Sequence, residues 1–327
     1  MGLIAPTRIQ VGDPSGVAPV RRAVAGLAAR LAFSEEDAGR AALVATELAT
    51  NLVRHTDGGE IVLRADREAL DIVAWDRGPG IRDIQQSLVD GFSTSGGAGT
   101  GLGAVRRLSD RFDVNSVTPG GTIVTAGIGG DSAPPAADGL ALAIAPEIVS
   151  GDAWSFCSDR GSTSMLLADG LGHGPGAADA SERAAAALRP AEAVEATLER
   201  VHTALRPTRG AAVAIARVDD ARGVLQFTGV GNISAVLCAR GYHKALTSLS
   251  GTAGRQMRTI RSFEYELPDS GLLVMHSDGC RTGWDLDADP ALRRKTPLLI
   301  ASTLIRDWER GRDDVSVVVL PLPPRPR

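Results

Sequence analysis

The sequence predicts a two-domain α/β protein, and three observations lead to this expectation. Its 327 residues exceed the usual size of one domain. The run from Gly127 to Gly139 is rich in Gly, Pro and Ala and has no hydrophobic period, which is typical of a linker. Helical and strand-like periodicities occur on both sides of that run. We therefore expect a first domain at 1–128, a linker at 129–139 and a second domain at 140–327.

The composition restricts the possible functions. Hydrophobic residues make up 43% of the chain and aromatic residues only 4%, so both cores should be aliphatic. The 35 basic and 39 acidic residues give a net charge of −4 without a basic tract, which argues against nucleic acid or a membrane surface as a partner. No apolar run reaches membrane length, and the first residues lack a signal-peptide pattern. With three cysteines in no pairing pattern, these features predict a cytoplasmic protein.

Two helices are predicted near the start of the chain. Apolar residues at helical spacing indicate a first helix from about Pro19, and Ser34 has the capping pattern that opens a second helix ending near His55. Glu47, Asn51 and His55 are four residues apart, so they share one helical face. A carboxylate and an amide on one face suit a divalent metal and its water, although a solvated helix face has the same pattern.

An acidic residue and several glycines follow these helices. Strand-like runs at 60–65 and 70–75 predict a hairpin that ends in Asp76-Arg-Gly-Pro-Gly80. An aspartate at a strand end can accept a hydrogen bond from an exocyclic amine, while the glycines leave room for a flat ring. These residues therefore suit recognition of a nucleotide base.

Further glycines indicate a phosphate site. A small-residue loop over 91–99 leads into Gly99-Thr-Gly101-Leu-Gly103, which opens a helix through Leu108. Free backbone amides and the helix dipole attract phosphate at such an N-terminus. Gly120-Gly121-Thr122 then leads into a strand at 123–126. One glycine motif is weak evidence, but the ordered set predicts a nucleotide pocket with a mobile glycine lid.

This ordered set resembles the GHKL ATPase superfamily over residues 10–128. The stretch Glu47-Leu-Ala-Thr-Asn51-Leu-Val-Arg-His55 is similar to the N box of anti-sigma-factor-type serine kinases, and the stretch from Asp90 onward is similar to the lid of the stressosome serine kinase. The resemblance implies an ATP- and Mg²⁺-dependent serine kinase built as an α/β sandwich. Glu47 would be the catalytic base, Asn51 the magnesium ligand and Asp76 the adenine reader. The pocket would be shaped by Gly78, Gly80, Gly99, Gly101, Gly103 and Thr122.

Four aspartates in the second half each lie at the end of a strand-like run, beside glycine or another acid. They are Asp152, Asp169, Asp278 and Asp313. Asp169 follows the apolar run 164–168 and opens the loop Asp169-Gly-Leu-Gly-His-Gly174. Each aspartate alone could be a turn residue. Together, carboxylates without Cys or His suit Mg²⁺ or Mn²⁺, and a pair of ions would offset four converging charges.

The remaining pattern of the second half consists of strands and two helices. Alanine-rich helices are predicted as packing helices at 177–188 and 191–205. Strands are predicted at 140–145, 211–218, 224–230, 234–238, 271–277 and 315–320. The second domain is therefore expected to be rich in β-structure.

The order of these motifs resembles the SpoIIE-like group of metal-dependent serine/threonine phosphatases over residues 140–320. The matching stretches are Ser-Gly-Asp152, Ala-Asp169-Gly-Leu-Gly-His-Gly, Gly229-Val-Gly-Asn-Ile-Ser, Ser-Asp278-Gly and Asp313-Asp-Val-Ser. The resemblance implies a β-sandwich of two antiparallel sheets flanked by helices. Catalytic Asp169 would bridge two Mn²⁺ or Mg²⁺ ions, Gly170 would lend its carbonyl, and the other three aspartates would complete the coordination.

Two residue roles stay open at this stage. His173 could donate a proton, although a histidine that orders the loop fits the pattern better. Asp314 directly follows Asp313 and could replace it as a ligand, although the motif favours Asp313.

Together the two resemblances imply a bifunctional regulator. Its kinase domain would phosphorylate, and its phosphatase domain would dephosphorylate, serine or threonine on STAS-domain partners in a sigma-factor or stress switch. No nucleic-acid or membrane partner is expected. In one alternative, the first domain is a nucleotide-dependent module that sequesters a sigma factor or its antagonist without kinase activity. In another, both domains are degenerate and form a scaffold.

Overall fold

The computed structural model describes residues 4–66, 68–89, 101–133, 135–159 and 161–323. The chain divides into two units, residues 1–134 and residues 135–327. The last strand of the first unit ends at Gly129, and the first strand of the second begins at Asp138. Residues 130–137 therefore lie between the two strands, and the predicted linker overlaps both by one or two residues.

The first unit is an α/β sandwich built on a five-stranded antiparallel sheet. The order of its strands is β1-β2-β3-β5-β4, and every neighbouring pair is antiparallel. In chain order its elements are β1 (Ile4–Val11), α1 (Val17–Arg30), α2 (Glu35–His55), β2 (Gly59–Asp66), β3 (Ala69–Asp76), α3 (Ile84–Ser87), α4 (Gly101–Leu108), β4 (Arg111–Val117) and β5 (Gly121–Gly129).

The core of the first unit lies between its helices and one face of the sheet. Alternate residues of a strand point to the same face, so Ile61 and Leu63 on β2 both contribute to it. They share one buried cluster with Val24 on α1 and with Val44 and Leu48 on α2. Helices therefore cover one face of the sheet, as the sequence predicts.

The second helix begins where its capping residue predicts. The Ser34 hydroxyl accepts a hydrogen bond from the backbone N–H of Asp37 at 3.0 Å, and three acidic residues occupy the first turn. Negative side chains there are favourable because the helix dipole is positive at its N-terminus. A fixed start for α2 also fixes the face that carries Glu47 and Asn51.

A buried aspartate on β3 joins two arginines. Asp71 receives hydrogen bonds from Arg64 on β2 at 2.6 Å and from Arg111 on β4 at 3.1 Å. Arg111 also donates to the carbonyls of Gly129 and Asp131, at 2.7 Å each. Burial alone would raise the pKa of Asp71, but the two arginines outweigh burial and hold this pKa below its ordinary value.

We predict that Asp71→Asn lowers the free energy of unfolding of the first unit by about 2–3 kcal/mol. This is less than the roughly 3–5 kcal/mol lost when a fully buried pair loses one partner, because both arginines keep some contact with water. A depressed carboxyl pKa stabilises the fold above the unfolded pKa near about 4 and loses its effect as pH falls through the folded value. Denaturant unfolding of the full chain at pH 7 and at pH 3 measures both effects.

The matched control is Asp66→Asn, which removes an exposed carboxylate from the end of neighbouring β2. It should change the unfolding free energy by less than about 0.5 kcal/mol at either pH. An Asp71→Asn loss that persists undiminished at pH 3 would contradict the ion-pair explanation.

The second unit contains two five-stranded antiparallel sheets. Their strand orders are β13-β10-β9-β8-β7 and β12-β11-β14-β15-β6. In chain order the elements are β6 (Asp138–Leu142), β7 (Asp152–Asp159), β8 (Ser162–Gly170), α5 (Pro175–Ala186), α6 (Val194–Leu205), β9 (Ala211–Asp219), β10 (Val224–Val230), β11 (Ser234–Ala239), β12 (Tyr242–Ala245), β13 (Phe263–Glu266), β14 (Leu272–His276), α7 (Pro297–Trp308) and β15 (Val315–Pro321).

The two sheets stack face to face, and helices cover their outer faces. Met165 and Leu167 on β8 belong to the same buried cluster as Leu237 on β11 and Met275 on β14, which forms the layer between the sheets. The intervening residue Leu166 points outward and packs under α5 and α6. The third helix, α7, packs on β15 and β6. The predicted fold class, an α/β sandwich followed by a helix-flanked β-sandwich, is confirmed.

Several elements differ from the sequence expectation. Helix α6 begins at Val194 rather than Ala191, because Ala191 has a positive φ of 56° that a helix excludes. Helix α7 was not predicted from the sequence, and its residues Pro297–Arg306 are buried throughout. In the described part of the chain, no helix is both long and apolar enough to cross a membrane.

Two candidate active sites

The nucleotide-type site of the first unit begins on one face of α2. Glu47 and Asn51 lie one turn apart and are half-buried. Neither side chain forms a hydrogen bond or ion pair with another described residue, so both stay available to a ligand. The loop predicted as a lid, with Gly99, lies outside the described residues.

Asp76 ends β3 deep in the unit, with only 6% of its surface exposed. Its carboxylate accepts a hydrogen bond from the backbone N–H of Gly78 at 2.7 Å. Gly80 has φ of 76°, and any side chain there would collide with the carbonyl of Val117. Gly121 has φ of 92°, and a Cβ added there would lie 2.1 Å from the carbonyl oxygen of Asp76. These glycines are therefore required for the backbone around Asp76 to pack this closely.

A serine that the sequence analysis missed connects two parts of this site. The Ser116 hydroxyl lies 2.8 Å from the hydroxyl of Thr122 and accepts a hydrogen bond from the backbone N–H of Ile81 at 2.7 Å. It thereby ties β4 and β5 to the loop after Gly80. Ser116 lies on β4, which the pattern did not predict, so no sequence signal pointed to it.

The predicted phosphate-binding helix is also present. Helix α4 begins at Gly101, and Gly103 is buried in its first turn. A Cβ added at Gly101 would meet no described atom within 4 Å. The structure thus places the α2 face, the Asp76 loop and the N-terminus of α4 within one unit.

In the second unit, strand pairing brings two of the predicted aspartates together. β7 and β8 are antiparallel neighbours, and Asp152 is directly opposite Asp169 in their register. The Asp152 carboxylate accepts a hydrogen bond from the Ser316 hydroxyl at 2.7 Å and one from the hydroxyl of Ser277. Ser277 directly precedes Asp278 and follows β14, while Ser316 lies on β15 three residues after Asp313, so the two hydrogen bonds connect β7 to the second sheet.

The charges of this cluster are not neutralised by basic side chains. Burial, followed by the charge of Asp152, raises the pKa of Asp169 to about 8. The pKa of Asp152 rises to about 7, chiefly through burial, although the two serine hydroxyls act against the shift. Asp278 and Asp313 add further negative charge near Asp169. None of these four carboxylates forms an ion pair with a described basic residue.

The structure separates the roles of the adjacent aspartates 313 and 314. Asp314 is buried and accepts backbone hydrogen bonds from Ile144 at 2.7 Å and from Gly151 at 2.5 Å. Its two oxygens therefore hold the loop before β7 against the start of β15. Asp313 is exposed, and among the described residues its carboxylate accepts a hydrogen bond only from the backbone N–H of Asp314, at 2.9 Å. This arrangement favours Asp313 as the residue that faces a ligand.

Asn232 orients another candidate ligand. Its side-chain amide donates to the carboxylate of Asp278 at 2.8 Å, and both residues are exposed. The sequence analysis quoted Asn232 in a motif without giving it a function. Its proximity to Asp278 depends on the pairing of β11 with β14, which a local pattern does not reveal.

The glycine-rich loop after Asp169 is held by backbone contacts. The N–H of Gly170 donates to the carbonyl of Gly151 at 3.0 Å, and Gly170 packs directly against the backbone of Ala177 on α5. His173 is 67% exposed, and its Nδ1 lies 3.1 Å from the carboxylate of Glu147. This contact fits the expectation of a loop-ordering histidine better than that of a proton donor.

The donor set of this cluster fits hard divalent cations. Carboxylate and carbonyl oxygens are the ligands that Mg²⁺ and Mn²⁺ prefer, and the uncompensated charge is of the sign that cations offset. Across the described ranges, however, no three Asp, Glu, His or Cys side chains already form a metal-binding group. Like charges repel one another, so the carboxylates are expected to close around the ions only on binding.

Comparison with known proteins agrees with this geometry. The family described as Stage II sporulation protein E (SpoIIE) matches residues 159–323, which is 165 of the 327 residues. The chain belongs to the SpoIIE family. Residues 11–128 of this SpoIIE-family protein also match the family described as Histidine kinase-like ATPase domain. Serine/threonine-protein kinase RsbT of Bacillus subtilis (strain 168) is 44% identical over 104 residues, which are 31% of this chain and 78% of RsbT.

Solved structures give further likenesses. One described as "The bacterial stressosome: a modular system that has been adapted to control secondary messenger signaling" is 28% identical, with a TM-score of 0.51 over 56% of this chain and 97% of that chain. The phosphatase domain and regulatory fragment of SpoIIE from Bacillus subtilis is 17% identical, with a TM-score of 0.47 over 79% and 81% of the two chains. The predicted family resemblance and enzyme class are confirmed: the chain joins a serine/threonine kinase domain to a serine/threonine phosphatase domain.

We predict that Asp314→Ala lowers the unfolding free energy of the second unit by about 2–4 kcal/mol, because two backbone N–H groups lose their buried acceptor at about 1–3 kcal/mol each. Asp313→Ala should change stability little and instead weaken Mn²⁺ binding. Calorimetric melting and Mn²⁺ titration of both variants measure these effects. Intact Mn²⁺ binding in Asp313→Ala, with lost binding in a folded Asp314→Ala, would reverse the assignment.

Proposed function

We propose that the protein is a bifunctional regulator that both phosphorylates and dephosphorylates serine or threonine on a STAS-domain partner. The single observation that supports this best is the presence, in one chain, of a domain 44% identical to RsbT and a domain of the SpoIIE family. The likeness to a stressosome structure supports a STAS-domain partner. The free thiols of Cys157, Cys238 and Cys280 and the need for ATP agree with action in the cytoplasm.

The proposed phosphatase site consists of the aspartate cluster. Asp169 would bridge two Mn²⁺ or Mg²⁺ ions, Gly170 would add its carbonyl, and Asp152, Asp278 and Asp313 would complete their coordination. Bound ions of this kind supply a hydroxide nucleophile and neutralise phosphoryl charge. The protein contributes orientation, because Ser316 fixes Asp152 and Asn232 fixes Asp278.

The proposed kinase site consists of the α2 face and the glycine loops. Glu47 would accept the proton of the partner's hydroxyl as general base, while Asn51 would hold Mg²⁺ on the ATP phosphates. Asp76 would accept a hydrogen bond from the adenine amino group. Thr122 and the glycines at 78, 80, 99, 101 and 103 would shape the pocket, with the N-terminus of α4 facing the phosphates.

We predict that Mn²⁺ or Mg²⁺ supports hydrolysis of p-nitrophenyl phosphate and that EDTA abolishes it. Asp278→Asn should lower kcat by roughly 100-fold, because the proposed ligand that Asn232 orients loses its charge. Asp179→Asn, which changes an exposed carboxylate on α5, is the control and should be silent. Equal turnover by wild type and Asp278→Asn would refute the assigned metal site.

We predict that Glu47→Ala slows phosphate transfer from ATP to the partner by roughly 10²–10⁴-fold, which is the usual loss when a positioned base is removed. Binding of Mg-ATP should be retained, since the base does not hold the nucleotide. Glu36→Ala removes an exposed carboxylate from the same helix and should leave transfer unchanged. Wild-type binding of a partner in stoichiometric amounts, with no transfer at all, would instead favour the sequestering module.

A further inference from the structure

Arg209 lies near the glycine-rich loop 169–174, which we call the metal loop, and it has no role in the site described above. Arg209 lies in the turn between α6 and β9, two residues before Ala211, which pairs with Gly170 of the metal loop. Arg209 therefore lies at the same end of strands β8 and β9 as Asp169. Its charge is opposite to that of the aspartate cluster and matches the charge needed to bind a phosphorylated substrate.

The turn that carries Arg209 is held on both sides. The carbonyl of Gly210 accepts a hydrogen bond from the backbone N–H of Leu171, in the metal loop, at 3.0 Å. On the other side Arg255 donates to the carbonyl of Thr208 at 2.6 Å and to that of Arg209 at 3.3 Å. The backbone of Arg209 is thus fixed relative to the metal loop.

The Arg209 side chain lies over two glycines. A Cβ added at Gly176, in the first turn of α5, would come within 2.9 Å of its Cζ and Nε. A Cβ added at Gly172 would come within 3.3 Å of its Nη1. The guanidinium therefore lies in a space that is open because neither glycine has a side chain.

The guanidinium forms no ion pair or hydrogen bond with any described residue. By contrast, Arg255 is fully engaged with backbone carbonyls. A planar guanidinium suits two-point binding of phosphate or carboxylate oxygens. A held but unpaired arginine at this edge is accordingly available to an external anion.

The surface around this arginine also suits a macromolecule rather than a small phosphate ester. Leu171, two residues beyond Asp169, is 45% exposed, and Ile148 is 81% exposed. Ile148 follows Glu147, the residue that contacts His173 of the same loop. A protein substrate is large enough to cover both side chains, whereas p-nitrophenyl phosphate is not.

We propose that Arg209 is a substrate-binding residue of the phosphatase site and that its guanidinium binds an oxyanion of the phosphorylated partner. The oxyanion is the phosphoryl group itself or a carboxylate beside the phosphoserine. The inference rests on the proposed phosphatase function and adds a determinant of affinity for protein substrates.

Steady-state kinetics on the full chain with Mn²⁺ tests this inference with three probes. They are p-nitrophenyl phosphate, a phosphoseryl peptide flanked by aspartates, and the same peptide flanked by asparagines. Arg209→Ala should raise KM for the aspartate-flanked peptide about 10- to 100-fold, as expected for loss of a charged hydrogen bond, with kcat little changed. Arg209→Lys should restore part of the loss. A KM increase for all three probes identifies the phosphoryl group, and an increase for the aspartate-flanked peptide alone identifies the carboxylate.

Two further variants separate binding from folding. Gly176→Ala puts a methyl group against the guanidinium while replacing glycine by the best helix former, so it should raise the peptide KM but preserve or increase the melting temperature. Arg206→Ala removes an exposed arginine at the end of α6 and is the matched control, with no expected change. An unchanged KM in Arg209→Ala overturns the inference. So does a KM change that comes with equally weakened Mn²⁺ binding and no rescue by lysine.

Anisotropy of the labelled aspartate-flanked peptide measures binding without turnover. Weaker binding by Arg209→Ala than by wild type supports the inference, and equal binding overturns it. A wild-type protein that binds but hydrolyses no probe would refute the phosphatase proposal while leaving the Arg209 comparison valid.

Discussion

The pairing of β7 with β8 is the constraint on which the second unit depends. It places Asp152 opposite Asp169 at one end of the sheet, where burial raises the pKa of both carboxyls. The fold holds this unfavourable charge in place by connecting it to the other sheet, through Ser316 on β15 and the backbone contacts of Asp314. A bound cation would offset the charge that the strand register concentrates, which is the physical basis of the metal site we propose at this position.

In the first unit, the candidate site is shaped by close packing of the backbone rather than by a cluster of like charges. Gly80 and Gly121 let the loops on both sides of Asp76 approach within distances that a Cβ would prevent. Ser116 and Thr122 then fix the β4–β5 hairpin to the same loop. The same unit thus contains the recessed Asp76 carboxylate and the helical face with Glu47 and Asn51, whose side chains have no described protein partner.

The sequence predicted those features that local chemistry determines. The Ser34 cap located the start of α2, and the strand-like runs placed Asp76, Asp152, Asp169, Asp278 and Asp313 at or near strand ends, as the structure has them. Features set by strand pairing or by full burial were missed. Asn232 reaches Asp278 only through the β11–β14 register, α7 is buried all along Pro297–Arg306, and no local pattern distinguishes Asp314 as a backbone acceptor from Asp313. Arg209 was missed for the same reason, because the glycines beneath it are distant in sequence.

If two opposed activities act on one seryl group, as we propose, ATP consumption in the presence of a STAS-domain partner depends on both of them. With Mg²⁺, Mn²⁺ and excess ATP, the wild type should consume ATP steadily, because each phosphorylated partner is returned to substrate. Asp278→Asn should consume about one ATP per partner and then stop, with the phosphorylated partner accumulating. Steady consumption by Asp278→Asn at the wild-type rate would contradict the account.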